Sequence, residues 1–170
     1  WLYNPAFGLI NSVLRAVGLD GLARGWLSDP KVVMEAVIAV AIWRQVGYVM
    51  ILYLAGLQSV DPDLIAASKV DGASALQRFF HVILPQLAPI TVIVIVISIV
   101  DSLRAFDLVS VMTRGGPFNS SSVLANYMYI QAFNNYRMGY GAAISVILFL
   151  ISLVFILFYL TRIAKEETNG

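Results

Sequence analysis

Polar side chains interrupt two otherwise apolar stretches: Arg44, Gln45 and Tyr48 in the first, and Ser98, Asp101 and Ser102 in the second. Spacings of one, three and four residues put each group on roughly one face of a helix. A guanidinium, an amide, a phenol, hydroxyls and a carboxylate supply the donors and acceptors that a hydroxyl-rich solute needs. The Tyr48 ring adds a flat apolar surface. The same residues admit a second reading, in which Arg44 and Asp101 form a structural ion pair that locks two helices. Glu35, Arg104 and Asp107 lie nearer the ends of the stretches and read as interfacial.

Covalent chemistry has little to stand on. The lysines are Lys31, Lys69 and Lys165, and none is followed by Ser or Thr, so a phosphate-binding loop of the G-x-x-x-x-G-K-[ST] type is excluded. His81 is the single histidine and stands outside the apolar stretches, reading as a solvated or contact residue. No H-E-x-x-H occurs, which excludes that class of zinc protease. The absence of cysteine removes thiol catalysis, disulfides and thiolate-bound metal. The sequence therefore points to a non-catalytic chain with no catalytic residue, no metal site and no cofactor of its own.

The elements that must carry these residues are long and apolar. Of the 170 residues 59% are hydrophobic and 12% charged, and the mean hydropathy is +0.82. Soluble domains carry about 25% charged residues, so the bilayer is the natural solvent here. Segments 33–57, 87–112 and 139–161 each exceed the roughly 20 residues that cross a hydrocarbon core, and in lipid they must be helices. Arg44 and Ser98 lie at matching depth, ~16 Å from opposite ends of their spans at the helical rise. Both polar clusters thus fall near mid-membrane, where ionisable groups usually line a pathway or pair with each other. In the third span Gly139, Gly141, Ala142, Ala143, Ser145 and Ser152 present small surfaces suited to close helix packing.

Between the first two spans, residues 58–86 carry helix signals. Asp61, Pro62 and Asp63 give a capping acid, a proline at the first helical position and an acid in the first turn. Asp71-Gly72 ends that helix, Ser74 caps a second one over 75–83, and Pro85 and Pro89 mark the approach to the second span. Residues 1–32 predict a short amphipathic helix with Phe7, Ile10, Val13, Leu14 and Val17 on one face. Residues 113–138 open on a Gly115-Gly116-Pro117 turn and continue through Tyr127, Tyr129, Phe133 and Tyr136, an aromatic density that suits a membrane interface. The first residues form no signal peptide, and the start at Trp1 reads as a break within a longer protein. Lys/Arg bias does not orient the chain. Lys69, Arg78, Arg162 and Lys165 on one side face Arg15, Arg24, Lys31, Arg114 and Arg137 on the other. Three spans do put 58–86 and the tail 162–170 on the same side.

The loop sequence from Asp61 through Ala66-Ala67-Ser68, Asp71-Gly72-Ala73 and Val82-Ile83-Leu84-Pro85 resembles the EAA motif of binding-protein-dependent ABC importer permeases. The pattern there is E-A-A, three residues, G, nine residues, I-x-L-P. Ala66 stands where the motif has glutamate, and Ser68 where it has its second alanine. Phe106-Asp107 followed by Thr113-Arg114-Gly115-Gly116-Pro117, and upstream Gly8-Leu9-Ile10-Asn11 and Trp26-Leu27, resemble the carbohydrate-uptake branch of these permeases, of the maltose and glycerol-phosphate type. The resemblance covers nearly all of the chain.

The resemblance implies an all-α, multi-pass protein of the inner (cell) membrane, with three transmembrane helices, short interfacial helices and a cytoplasmic coupling loop. In that family the loop seats in a cleft of an ATPase subunit. The contacts so implied are Leu64, Ala66, Ala67, Ser68, Asp71, Gly72, Ala73, Phe79, Leu84 and Pro85, with Gly72 permitting a bend that a side chain would obstruct. The resemblance also places residues 1–32 and 113–138 outside the cell. It implies as partners a second permease subunit, two ABC ATPase subunits that bind ATP and Mg, an extracytoplasmic substrate-binding protein, a sugar substrate and membrane lipid, and no nucleic acid. Glycerol 3-phosphate or a related phosphodiester is the alternative substrate. A channel outside the ABC class and a plain membrane scaffold are the rival readings. Neither needs the Gly72-to-Leu84-Pro85 spacing together with polar clusters at mid-membrane.

Overall fold

The computed structural model describes residues 1–168, leaving aside the side chains of Leu160 and 162–168. Among the described residues every regular element is helical. The chain runs through α1 (Leu9–Ala16), a 3₁₀ turn (Asp20–Leu22), α2 (Val33–Leu57), α3 (Pro62–Val70) and α4 (Ala75–Arg78). A π-helical turn (Phe79–Ile83) and α5 (Leu84–Gln86) follow, then α6 (Ala88–Leu103), α7 (Phe106–Met112) and α8 (Leu124–Tyr129). A second π-helical turn (Ile130–Asn134) precedes α9 (Met138–Thr168). Helix α2 and the Met138–Tyr159 part of α9 are long and apolar enough to cross a membrane. A third crossing exists if the pair Ala75–Gln86 and Ala88–Leu103, bent by 66°, is counted as one span.

The second span departs from the expectation of one unbroken helix over 87–112. Helix α6 has 16 residues, ~24 Å at the helical rise. The chain then breaks at Arg104–Ala105, where Ala105 has ψ 45°, and resumes as α7. Neither proline nor glycine marks this break. The expected helix over 75–83 also differs, because its bonding widens to π geometry at Phe79 and helical structure persists to Gln86. Pro85 lacks an N–H for the ordinary bond to His81, and the i→i−5 bond from Leu84 N to Phe79 O precedes it. The bend falls at Leu87, two residues beyond Pro85, where Pro89 in turn cannot donate to the carbonyl one turn back.

The chain divides into two units. The first comprises Trp1–Ile42 with Ser102–Val154 and holds most of the buried residues, including Val33, Ala36, Val37, Val109, Ala125, Ala132 and Ile144. Small residues permit close approach in it: a Cβ on Gly141 would stand 2.6 Å from that of Ala132. Ser145 Oγ reaches Met128 Sδ as well as the Gly141 carbonyl. Phe106, Tyr129 and Phe133 stack in series, with centroids 4.7 and 5.1 Å apart. On the expected apolar face of the first helix Ile10 and Leu14 are half-buried and Phe7, Val13 and Val17 exposed, and the fully buried side chain is Asn11.

The second unit comprises Trp43–Asp101 with residues from Phe155 on. Among its described residues the buried side chains are chiefly Val60 and Leu87. Its apolar helices are largely uncovered, as lipid or partner chains would require.

Candidate functional site

The loop 58–86 is built from local rules. Asp61 caps α3 by accepting from the Asp63 amide at 2.8 Å, with Pro62 in the first turn. At the other end Gly72 N bonds Lys69 O and Ala73 N bonds Ser68 O, at 3.1 and 3.0 Å. With Gly72 at φ +77°, these are the paired bonds of a Schellman termination. Nothing lies within 4 Å of a Cβ built on Gly72. A side chain is therefore disfavoured at the bend by the left-handed φ of Gly72 and not by a close neighbour. Ser74 then opens α4 in a reciprocal capping box with Gln77.

The loop closes on itself at its base. The Asp61 amide donates to Gln86 Oε1 at 3.1 Å, and Gln86 Nε2 returns to the Val82 carbonyl. Just above, Tyr53 donates to Thr91 Oγ1 at 3.0 Å. Gly56 faces Leu87 and Ile90 so closely that a Cβ would lie 2.7 Å from Ile90 Cγ1. The ends of α2 and α6 are thus joined beneath the loop by polar and close-packed contacts.

Away from its base the loop presents apolar surface. Leu64, Leu76, Phe79, Phe80 and Leu84 are exposed, and the two phenylalanine rings meet edge to face at 5.1 Å. Ala66, Ala67, Asp71, Gly72 and Pro85 are exposed as well, while Ser68 and Ala73 are half-buried. Ser68 is turned inward onto the Ile65 carbonyl at 2.8 Å. An open groove of about 420 Å³ follows the Gly72 bend, lined by Asp71, Gly72, Gln77, Arg78 and His81 among others. Arg78 is held by the Ala73 carbonyl at 3.0 Å and His81 Nδ1 by the Gln77 carbonyl at 3.0 Å. Arg78, His81 and Leu76 were not among the contacts expected. The Ser74 cap that opens their helix was legible, but its reciprocal bond with Gln77 and the π-helical turn at Phe79–Ile83 were not.

Of the mid-span polar residues, Arg44, Tyr48 and Asp101 are exposed, Ser102 is exposed and has a polar partner, and Gln45 and Ser98 are half-buried. Arg44 and Asp101 form no ion pair with each other, which removes the structural reading of that pair within the described residues. Gln45 Nε2 is enclosed with no hydrogen-bond acceptor among the described residues, which is costly in an apolar setting. No group of three or more His, Cys, Asp and Glu side chains among the described residues could hold a metal ion.

Comparison with known proteins bears on this arrangement. The family model described as "Binding-protein-dependent transport system inner membrane component" matches residues 2–165. A probable ABC transporter permease protein of Pyrococcus horikoshii is 42% identical over 167 residues, covering 98% of this chain and 57% of its own length. The trehalose/maltose transport system permease protein MalF of Thermococcus litoralis is 34% identical over 162 residues, 94% of this chain and 53% of its own. Among solved structures, a bacterial ABC transporter involved in import of the acidic polysaccharide alginate contains a chain that matches with a TM-score of 0.83 at 26% identity. The match covers 95% of this chain and 56% of that one. A second structure of a bacterial alginate ABC transporter, in complex with a periplasmic protein carrying an alginate pentasaccharide, matches with a TM-score of 0.82. The chain spans a little over half the length of these relatives.

Proposed function

The chain belongs to the family of binding-protein-dependent transport system inner membrane components, and on that premise we propose that it is part of the permease subunit of a sugar-importing ABC transporter. The permease lies in the inner membrane, with 58–86 on the cytoplasmic side and 1–32 and 113–138 outside. It forms half of the translocation pathway beside a second permease. Two ATPase subunits hydrolyse ATP, and an extracytoplasmic binding protein delivers the sugar.

The observation that carries this reading is the loop: a glycine-terminated helix α3, a capped α4 and exposed Leu64, Phe79 and Phe80, standing on a base that ties α2 to α6. A helix with apolar residues outward is what a groove in a partner accepts. A displacement of α3 as the ATPases close reaches Gln86 through the Asp61 amide and reaches the two spans through Tyr53–Thr91 and Gly56–Ile90. The spans carry the polar faces of Arg44, Gln45 and Tyr48 and of Ser98 and Asp101. When those faces change exposure, the sugar changes sides. Ala66, in place of the motif's glutamate, leaves the seat of α3 apolar at that position.

The test is ATP hydrolysis by the reconstituted complex. Stimulation by sugar-loaded binding protein is expected for the wild type and falls in Gly72→Val, which strains the left-handed φ, with basal hydrolysis kept. A complex in which residues 64–80 can be cross-linked to no ATPase subunit would sink the reading. A second substrate class, an acidic sugar or a phosphodiester such as glycerol 3-phosphate, is favoured by one observation. Arg44 is exposed and has no carboxylate partner among the described residues, and an anion would take that place.

A further inference from the structure

The loop 58–86 has no carboxylate where the EAA motif has one, since Ala66 stands there. Any ionic contact with a partner therefore comes from another position. Asp63, Lys69 and Asp71 are exposed, and no bond holds their side chains among the described residues. Charges free to swing in water contribute little to a contact. Asp61 is spent on capping α3. Arg78 differs from all of these: it is half-buried, and its Nη1 donates to the Ala73 carbonyl at 3.0 Å.

That single bond holds the guanidinium and leaves most of it unused. Nε and Nη2 donate to nothing among the described residues, and no carboxylate oxygen of those residues lies within 4.0 Å. A carboxylate matches the planar fork of an arginine bidentately. Holding one edge of the fork in advance lowers the entropy lost when the other edge is bound. The groove beside it is open and is also lined by Asp71, Gln77 and His81. His81 meets the Gln77 carbonyl through Nδ1, and a carbonyl only accepts, so the ring proton sits on Nδ1. Nε2 of the neutral ring is then an acceptor and gives an entering anion nothing. Asp71 is the carboxylate of the groove and is not paired with Arg78. Recognition of an anion there falls on Arg78.

Leu76, Phe79 and Phe80 flank Arg78 in sequence, and all three are exposed. An arginine set among leucine and phenylalanine side chains has the composition of a protein–protein anchor, in which apolar contact keeps water from the charge. We infer that Arg78 is the ionic anchor of this loop, and that the ATPase subunit presents an Asp or Glu side chain to it at the groove beside Gly72. The contact stands in for the one that a glutamate at position 66 would make. This rests on the permease reading and adds to it a residue and the chemistry of the group it meets.

The test uses the full-length permease assembled with the second permease in nanodiscs and titrated with the purified ATPase subunit. The concentration for half-maximal binding is expected to rise at least tenfold in Arg78→Gln, and an unshifted titration would overturn the anchor. Asp71→Asn removes a like charge from the groove and is expected not to raise that concentration. A rise would mean that a cation enters, which also overturns the inference. Loss of the Ala73 bond by itself loosens the loop, so a second readout is read from the bound complex. Arg78→Lys keeps the charge and places an amine at the groove, and a water-soluble carbodiimide joins an amine to a touching carboxylate as an amide, with loss of water. Mass spectrometry is expected to find position 78 linked to an Asp or Glu of the ATPase subunit. Adducts only within the permeases, or none, overturn the anchor while a photo-cross-link from position 64 to the ATPase subunit still forms. Absence of that photo-cross-link as well removes the permease reading with it.

Discussion

The indole Nε1 of Trp26 donates to Oδ1 of Asn11 at 2.8 Å, across 15 residues of chain. The Asn11 amide nitrogen donates its two hydrogens to the Pro5 and Arg24 carbonyls, at 3.2 and 3.0 Å. One side chain therefore gathers the chain before α1, α1 itself and the segment leading to α2. Arg24 lies over the Trp26 ring, Tyr3 packs beside it, and the Tyr3 hydroxyl reaches the Ala36 carbonyl in α2 at 3.0 Å. A short helix that would be marginal alone is thereby fixed to the start of a long one.

Asn11→Leu tests that brace. The substitution keeps the volume and leaves the indole N–H and the carbonyls without partners in a site where Asn11 is 2% exposed. An unsatisfied buried group costs about 1–3 kcal/mol. The melting temperature of the detergent-purified protein should fall by several degrees, and Trp emission should shift toward the red as position 26 is released. Unchanged melting and emission would show that the clasp is not made.

The clasp also shows what sequence could and could not disclose. Asn11 and Trp26 were visible as features of a resemblance, but periodicity marked only the apolar face of Phe7, Ile10, Val13, Leu14 and Val17, of which Ile10 and Leu14 are half-buried and the others exposed. A buried amide on a short helix carries no apolar signal, and its partners lie outside the window that periodicity reads. Long elements were legible, since a run of apolar residues such as 33–57 has few alternatives. Capping at Asp61 and Ser74 was legible because the side chains act within three residues. The break at Arg104–Ala105 and the π-helical turn at Phe79–Ile83 were not, because the first lacks a proline or glycine and the second depends on bonds five residues apart. At Gly72 the need for glycine comes from its left-handed φ and not from a close neighbour.

That reason predicts a ranking at Gly72. A left-handed φ costs an alanine about 1 kcal/mol, asparagine less, and a β-branched residue more. With open space around the position, size alone is harmless. Stimulated ATP hydrolysis and loop stability should therefore fall in the order Gly, Asn, Ala, Val. A series ordered by volume would point to contact with a partner as the controlling factor.

Gly56 predicts the opposite behaviour. Here the conformation is an ordinary helix and the space is closed, with Ile90 and Leu87 against the position. Gly56→Leu should separate α2 from α6 at the base of the loop, with an overpacking cost of about 1–3 kcal/mol. Basal hydrolysis by the ATPases is expected to persist while sugar uptake falls. Retained uptake in vesicles would show that the junction does not transmit movement.

Tyr3 gives a pH prediction. Burial raises its pKa above the ordinary 10.0 by disfavouring the phenolate. The folded form then holds the proton more tightly than the unfolded one, so the contribution to stability is complete below pH 10. It is lost as pH rises through the folded value. Melting temperature should show no Tyr3-dependent change between pH 6 and 9, and an alkaline decline that Tyr3→Phe abolishes. An alkaline decline of equal size in Tyr3→Phe would assign it to other groups.

The pathway assignment is the most exposed to test, because the structure leaves Arg44 without Asp101. If the polar faces of α2 and α6 line the route of a sugar, Tyr48→Ala and Asp101→Ala remove contacts worth about 1–2 kcal/mol each, or roughly tenfold in uptake. ATP hydrolysis without substrate should be unaffected. Arg44→Gln separates the substrate classes. With a neutral sugar the amide replaces one donor by another and uptake changes little. With an acidic sugar or a phosphodiester the charge-assisted bond is lost, and uptake should fall by tenfold or more. The measurement is initial uptake into proteoliposomes for a neutral oligosaccharide and for a uronate-containing one. Wild-type uptake in Tyr48→Ala and Asp101→Ala alike, at normal expression, would remove these helix faces from the pathway.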